Sequence, residues 1–234
     1  MTCEEGDLLG TPMHCEIRRP LREEAGRTYP AVFILHGIGS DERDMLPLAE
    51  GIDRECFVFA IRGPLPHGPG FAYFTIEGYG KPDREAFEKS VRELTEFIDA
   101  AREEYPLDPE LSYVLGFSQG AILALTLGVS GAAGVRGIVA LAGYLPDFVK
   151  QEQVQDHGTL LGDGTGLSAF ISHGRADAVL PFAWGRDAAD FLRGAGARVV
   201  FWPHGEGHYV PEENAQASMR WLAEDMARRR ALTR

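Results

Sequence analysis

The feature that most constrains this chain is the pentapeptide Gly116-Phe117-Ser118-Gln119-Gly120, set between two apolar runs. Tyr113-Val114-Leu115 precedes it and reads as a short strand; Ala121-Ile122-Leu123-Ala124-Leu125-Thr126-Leu127 follows it and reads as a buried helix. A short apolar run, G-x-S-x-G and an apolar helix together describe a sharp strand-to-helix reversal that leaves its serine strained and exposed at the turn. Glycine at 116 and 120 removes the Cβ atoms that would hold strand and helix apart. The same turn aims the backbone N–H of Gln119 at the serine oxygen, from a helix N-terminus where donors are unpaired. One local structure thus offers a nucleophile and half of an oxyanion hole. The bland alternative is a glycine-rich turn with an idle serine, and it weakens with every partner found for Ser118.

The rest of the chain alternates strand and helix signals. Continuous apolar runs at Ala31–Leu35, Cys56–Ile61, Gly137–Leu141, Ala169–Ser172 and Arg198–Trp202 read as strands covered on both faces. Met13, Cys15 and Ile17 give a fainter alternation, as of an edge strand. Helices are expected over 44–52, shortened by Pro47, over 83–105, 181–192 and 211–230. The helix over 83–105 carries Phe87, Val91, Leu94, Ile98, Ala101 and Tyr105 on one face, and the last helix turns Ala215, Met219, Leu222 and Met226 inward. Its terminal Arg228-Arg229-Arg230 suits the negative end of a helix dipole. The expected architecture is one α/β domain over 1–234, three layers with a mostly parallel central sheet flanked by helices, and its ligand at the carboxyl ends of the strands.

Two segments fall outside that alternation. The loop 63–80 is long and carries Phe71, Tyr73, Phe74 and Tyr79. These rings either wall a substrate pocket or fold the loop onto the body; Phe71, Tyr73 and Phe74, with Leu180 from a later loop, are the candidate pocket residues. The stretch 147–167 is polar and holds Gly158, Gly162, Gly164 and Gly166, and reads as a mobile excursion, either a lid or a plain insertion.

A net charge of −12 argues against nucleic acid and against anionic membrane surfaces. Cys3, Cys15 and Cys56 are odd in number, match no metal or redox spacing, and read as free thiols in a reducing compartment. No secretory signal is visible at the start, and no apolar run reaches the roughly 20 residues of a membrane-spanning helix. The expectation is a cytoplasmic protein, monomer or homodimer, without a metal or other cofactor.

A serine hydroxyl needs a base, and the base needs a carboxylate to fix its tautomer. In a sheet of this kind both lie beyond later strand ends, in the order Ser, Asp/Glu, His. After 169–172 comes His173-Gly174-Arg175-Ala176-Asp177, which offers Asp177; the alternative for that residue is a helix cap. After 198–202 come His204 and His208. His208 has the reach to return over the site, which leaves His204 as a surface residue at the strand end. The second oxyanion donor is expected from Leu35-His36-Gly37-Ile38-Gly39, as the N–H of Ile38 beside that of Gln119, with His36 bracing the loop.

With these residues in place the chain resembles the phospholipase/carboxylesterase family of α/β-hydrolases, which includes acyl-protein thioesterase-like enzymes and small bacterial carboxylesterases. The resemblance runs through residues 35–39 with Asp41 and Asp44, Arg62-Gly63-Pro64, the pentapeptide at 116–120, Leu141-Ala142-Gly143-Tyr144-Leu145-Pro146, His173 to Asp177, and Gly207-His208. It implies an α/β-hydrolase fold, a Ser118–Asp177–His208 triad, an oxyanion hole at Ile38 and Gln119, no cofactor, and hydrolysis of a small acyl ester or thioester. Ala142-Gly143 departs from the frequent Ser-Gly of the family, and 147–167 is individual to this chain. A lysophospholipid- or lactone-directed enzyme of the same fold, and a non-catalytic ligand-binding descendant, are the alternatives.

Overall fold

The computed structural model describes residues 4–7, 11–78, 80–157 and 166–232. Strands β1 (Glu4–Asp7), β2 (His14–Arg18) and β3 (Tyr29–Leu35) open the chain, followed by a 3-10 turn at Arg43–Met45 and the single-turn helix α1 (Leu46–Ala49). Next come β4 (Phe57–Ile61) and two short hairpins, β5 (Leu65–His67) with β6 (Gly70–Ala72) and β7 (Ile76–Gly78) with β8 (Lys81–Pro82). The second half runs α2 (Arg84–Glu104), β9 (Leu107–Phe117), α3 (Gln119–Ser130), β10 (Gly137–Leu141) and α4 (Asp147–His157). It closes with β11 (Ser168–Gly174), α5 (Phe182–Gly194), β12 (Arg198–His204) and α6 (Glu212–Leu232).

Eight strands form one sheet in the order β1-β2-β4-β3-β9-β10-β11-β12. From β4 to β12 every neighbouring pair is parallel, while β2 runs antiparallel to β4 and β1 to β2. Successive side chains of a strand face opposite ways, and here each way leads into a core. Phe33, Phe59, Val114, Ile138 and Ile171 pack on one face with α2, α3, α4 and α5; Val32, Val58, Leu115, Val139 and Phe170 pack on the other with α1 and α6. That is why β3, β4, β10 and β11 are buried at every residue and why the sequence shows no alternation there.

Several elements differ from their sequence signals. The strand of Cys15 and Ile17 is internal, because β1 pairs along its outer side. The helix expected over 44–52 is a 3-10 turn and one helical turn, with Pro47 in the first turn, where its missing N–H costs nothing. On α2, capped by Asp83 Oδ1 accepting from the N–H of Ala86, Ser90 and Phe97 are also buried, and Val91 and Tyr105 only partly. On α6 Ala215 is half-buried and Ala217 and Trp221 are buried. Residues 147–157 are a packed helix: the Phe148 ring meets Phe87 edge-on at 5.4 Å and lies under the Arg84 guanidinium. The glycines at 158, 162 and 164 lie outside the described residues, as do Tyr79 and Cys3; Cys15 and Cys56 are buried.

Arg229 also has a different job from the one its position in the sequence assigns. It is buried and donates from Nε to Asp225 Oδ2 (2.7 Å), and from Nη2 to the carbonyls of Arg136 and Gly166. Asp225 further accepts from Arg228 (2.7 Å) and from the Tyr113 hydroxyl (3.0 Å), so α6 is pinned to the centre of the sheet by one buried carboxylate. Burial alone would raise the Asp225 pKa, but the hydrogen bonds from Arg228 and Arg229 outweigh it and hold the carboxyl below its ordinary value of 3.8. A lowered folded-state pKa contributes stability that is present above the unfolded value and lost as pH falls through the folded one. Asp225→Asn should therefore cost about 3–5 kcal/mol at neutral pH, by urea denaturation. The gap to wild type should shrink below about pH 4, and a gap independent of pH would refute the assignment.

Candidate active site

Ser118 stands between β9 and α3 with φ 51° and ψ −114°, a conformation a non-glycine residue adopts only under constraint. The constraint is visible on both sides. Its N–H donates to the carbonyl of Leu141 (2.9 Å), and the N–H of Gly120 donates to the carbonyl of His36 (3.1 Å). A Cβ on Gly116 would sit 2.2 Å from the backbone of Gly120, and one on Gly120 would sit 2.2 Å from the carbonyl oxygen of Leu35. Only glycine lets three backbone segments meet this closely.

The turns after β11 and β12 bring Asp177 and His208 to the same edge of the sheet. His208 Nε2 is 2.9 Å from Ser118 Oγ, and His208 Nδ1 is 2.7 Å from Asp177 Oδ2. With the Nδ1 proton toward the carboxylate, Nε2 is the acceptor for the serine hydroxyl. Asp177 Oδ1 accepts from the N–H groups of Val179 and Leu180, at 2.8 Å each. Burial by itself pushes this carboxyl up; the hydrogen bonds from His208, Leu180 and Val179 prevail and hold it below its ordinary range. The fully buried His173 adds a brace: its Nε2 is 2.9 Å from the carbonyl of Leu180 and 3.3 Å from Asp177 Oδ2. His204 is half-buried rather than at the surface, and burial with the nearby His173 lowers its pKa.

Across the serine, the N–H groups of Ile38 and Gln119 have no acceptor among the described residues. The loop that carries Ile38 is held from beneath. His36 Nε2 accepts from the N–H of Gly63 (2.9 Å) and its Nδ1 donates to the carbonyl of Gly37 (2.7 Å), which requires the neutral ring; burial lowers its pKa in the same direction. From the side, Gly39 and Ser40 exchange backbone hydrogen bonds with Phe71 (2.8 and 2.7 Å).

Ser118 opens on a cavity of about 80 Å³ walled by Ile38, Phe74, Ile122, Tyr144 and Leu180. Of the candidate pocket residues, Phe74 and Leu180 line it, and Phe71 and Tyr73 do not. Tyr73 is buried beneath the loop that carries Ile38, where its hydroxyl donates to the carbonyl of Ile61 (2.6 Å) and accepts from the N–H of His36 (3.2 Å). The Phe71 ring lies under the Arg62 guanidinium, 4.7 Å away, and Arg62 grips Glu42 through two hydrogen bonds. Sequence reasoning also missed the side chain of Gln119. Its Oε1 accepts from the N–H of Tyr73 and its Nε2 donates to the carbonyl of Phe74, both at 2.7 Å, so the residue after the serine clamps the aromatic loop. Among the described residues no group of three or more His, Cys, Asp or Glu is placed to hold a metal ion, and no helix is long and apolar enough to cross a membrane.

The sequence profile of the phospholipase/carboxylesterase family matches residues 21–224. The chain is 27% identical over 202 residues to the putative hydrolase MhqD of Bacillus subtilis, covering 86% of this chain and 96% of that protein. It is 26% identical over 235 residues to acyl-protein thioesterase 1 of Yarrowia lipolytica, covering 92% and 99%. Among solved structures, the carboxylesterase of Bacillus cereus superposes with a TM-score of 0.78 at 26% identity, covering 91% of this chain and 94% of that one.

The clamp gives a direct test of how the site is held. Gln119→Met keeps the volume but leaves the N–H of Tyr73 and the carbonyl of Phe74 unpaired in the core, which should cost about 2–4 kcal/mol by chemical denaturation. Limited proteolysis should cut faster within 63–80 in this variant than in wild type.

Proposed function

This chain belongs to the phospholipase/carboxylesterase family, and we propose that within it the chain is a serine hydrolase that cleaves small carboxylic esters or thioesters through an acyl-enzyme. The observation that carries this reading is the unbroken series from Ser118 Oγ through the His208 ring to Asp177, at 2.9 and 2.7 Å. In the proposed cycle Ser118 Oγ attacks the acyl carbonyl carbon while His208 Nε2 takes its proton. Asp177 stabilises the imidazolium, and the N–H groups of Ile38 and Gln119 hold the oxyanion. The bond to the leaving oxygen or sulfur then breaks, and that atom receives the proton from His208. Water repeats the sequence on the acyl-enzyme and frees the acid. No cofactor enters any step. The names of the relatives, carboxylesterase and acyl-protein thioesterase, support an ester or thioester as the bond attacked.

Ser118→Ala should lower kcat on p-nitrophenyl esters by about 10⁴-fold or more. A fluorophosphonate should label wild type at Ser118 and leave the variant unlabelled. Activity near wild type in the variant would point to another nucleophile and end the reading.

A further inference from the structure

We propose that this enzyme takes a short acyl group joined to a large apolar alcohol or thiol, and that the leaving group is seated in a groove between α1 and α6. The inference rests on acyl transfer at Ser118 as described above. Two hollows of very different size flank the site, one with Ser118 in its wall and the other lined by Phe117 and Tyr209 beside the triad. The first is the cavity of about 80 Å³ that contains Ser118 in its wall. A cavity of about 150 Å³ holds a single benzene, so this one has room for an acyl group of a few carbons. The second is a groove of about 740 Å³, within the ~300–1,000 Å³ of ordinary ligand sites. Its surface is mainly apolar and includes Met45 and Leu48 on one side, Ala215 and Met219 on the other, and Phe117 and Tyr209. Phe117 and Tyr209 are the chain neighbours of Ser118 and His208, and the Phe117 ring lies 5.1 Å from the His208 ring.

Proton chemistry decides which hollow takes which part of the substrate. The carbonyl oxygen must face the N–H groups of Ile38 and Gln119, both of which line the small cavity. During acylation the bond from Ser118 Oγ to the carbonyl carbon forms and the bond from that carbon to the departing oxygen or sulfur breaks. The serine proton passes through His208 Nε2 to the departing atom. That atom therefore leaves on the imidazole side, where Phe117 and Tyr209 lead into the groove, and the acyl group stays beside Phe74, Ile122 and Leu180.

Two isomeric esters test the assignment, since decyl acetate and ethyl decanoate differ only in which side of the ester carries the long chain. Wild type should show kcat/KM for decyl acetate at least about tenfold above that for ethyl decanoate. Filling the groove with Ala215→Trp, or charging it with Leu48→Glu, should lower the decyl acetate value about tenfold and leave ethyl acetate within about twofold. Ethyl decanoate turned over as well as decyl acetate, or variants that slow decyl acetate and ethyl acetate alike, would overturn the inference while leaving the serine-hydrolase reading intact. Wild type that hydrolyses none of these esters and takes no fluorophosphonate at Ser118 would overturn both.

Discussion

Three backbone segments meet at the elbow at a separation that no Cβ allows, and Ser118 and the N–H of Gln119 are positioned from that contact. The end of β3, the end of β9 and the start of α3 converge on Gly116 and Gly120, and Ser118 takes a positive φ to complete the reversal. Strain of this kind costs about 1–3 kcal/mol and persists only where the surroundings over-determine it. Here the surroundings are α3, buried at nearly every position, and the hydrogen bonds that tie Ser118 to Leu141 and Gly120 to His36. The serine oxygen and the N–H of Gln119 are thus fixed by backbone before any substrate arrives, which is the condition under which a donor stabilises developing charge without reorganisation.

The remaining parts are held by the same device, fixed dipoles aimed at one another from the loops after successive strands. Two backbone N–H groups and His173 orient Asp177; Asp177 orients His208. On the other side a neutral His36 and the backbone of Phe71 orient the loop of Ile38. The tautomer of His36 is set by a donor and an acceptor on opposite ring atoms, so protonation would turn its accepting nitrogen against the N–H of Gly63.

What could be read from the sequence divides along a physical line. Ser118, Asp177 and His208 were legible because each sits at a position the strand order prescribes, next to apolar runs whose period is visible without the fold. Side-chain contacts between distant segments left no such trace. The partners of Gln119 are backbone atoms 45 and 46 residues away. Arg229 pairs with Asp225 and with carbonyls just ahead of β10 and β11, so a run of three arginines whose position suits the helix dipole includes a buried one. The helix at 147–157 was hidden because its described inward residues, Phe148, Val149 and the buried Gln153, make no apolar stripe. Tyr73 resembled a pocket aromatic because ring content does not reveal where a hydroxyl will find its acceptor.

Tyr73 and Phe74 also explain why the two sides of the site differ in kind as well as in size. Tyr73 goes into the core under the loop of Ile38, Phe74 walls the small cavity while packing edge-on against Phe87 of α2, and Gln119 bonds to both backbones. The wall of the small cavity is therefore part of the hydrophobic core and inherits its close packing, where an added methylene is resisted. The groove beyond Phe117 also borders the core, but through Met45 and Met219, whose unbranched thioethers repack at little cost. On the proposed assignment, discrimination falls on the acyl side because its wall cannot yield, and tolerance falls on the leaving-group side because its wall can.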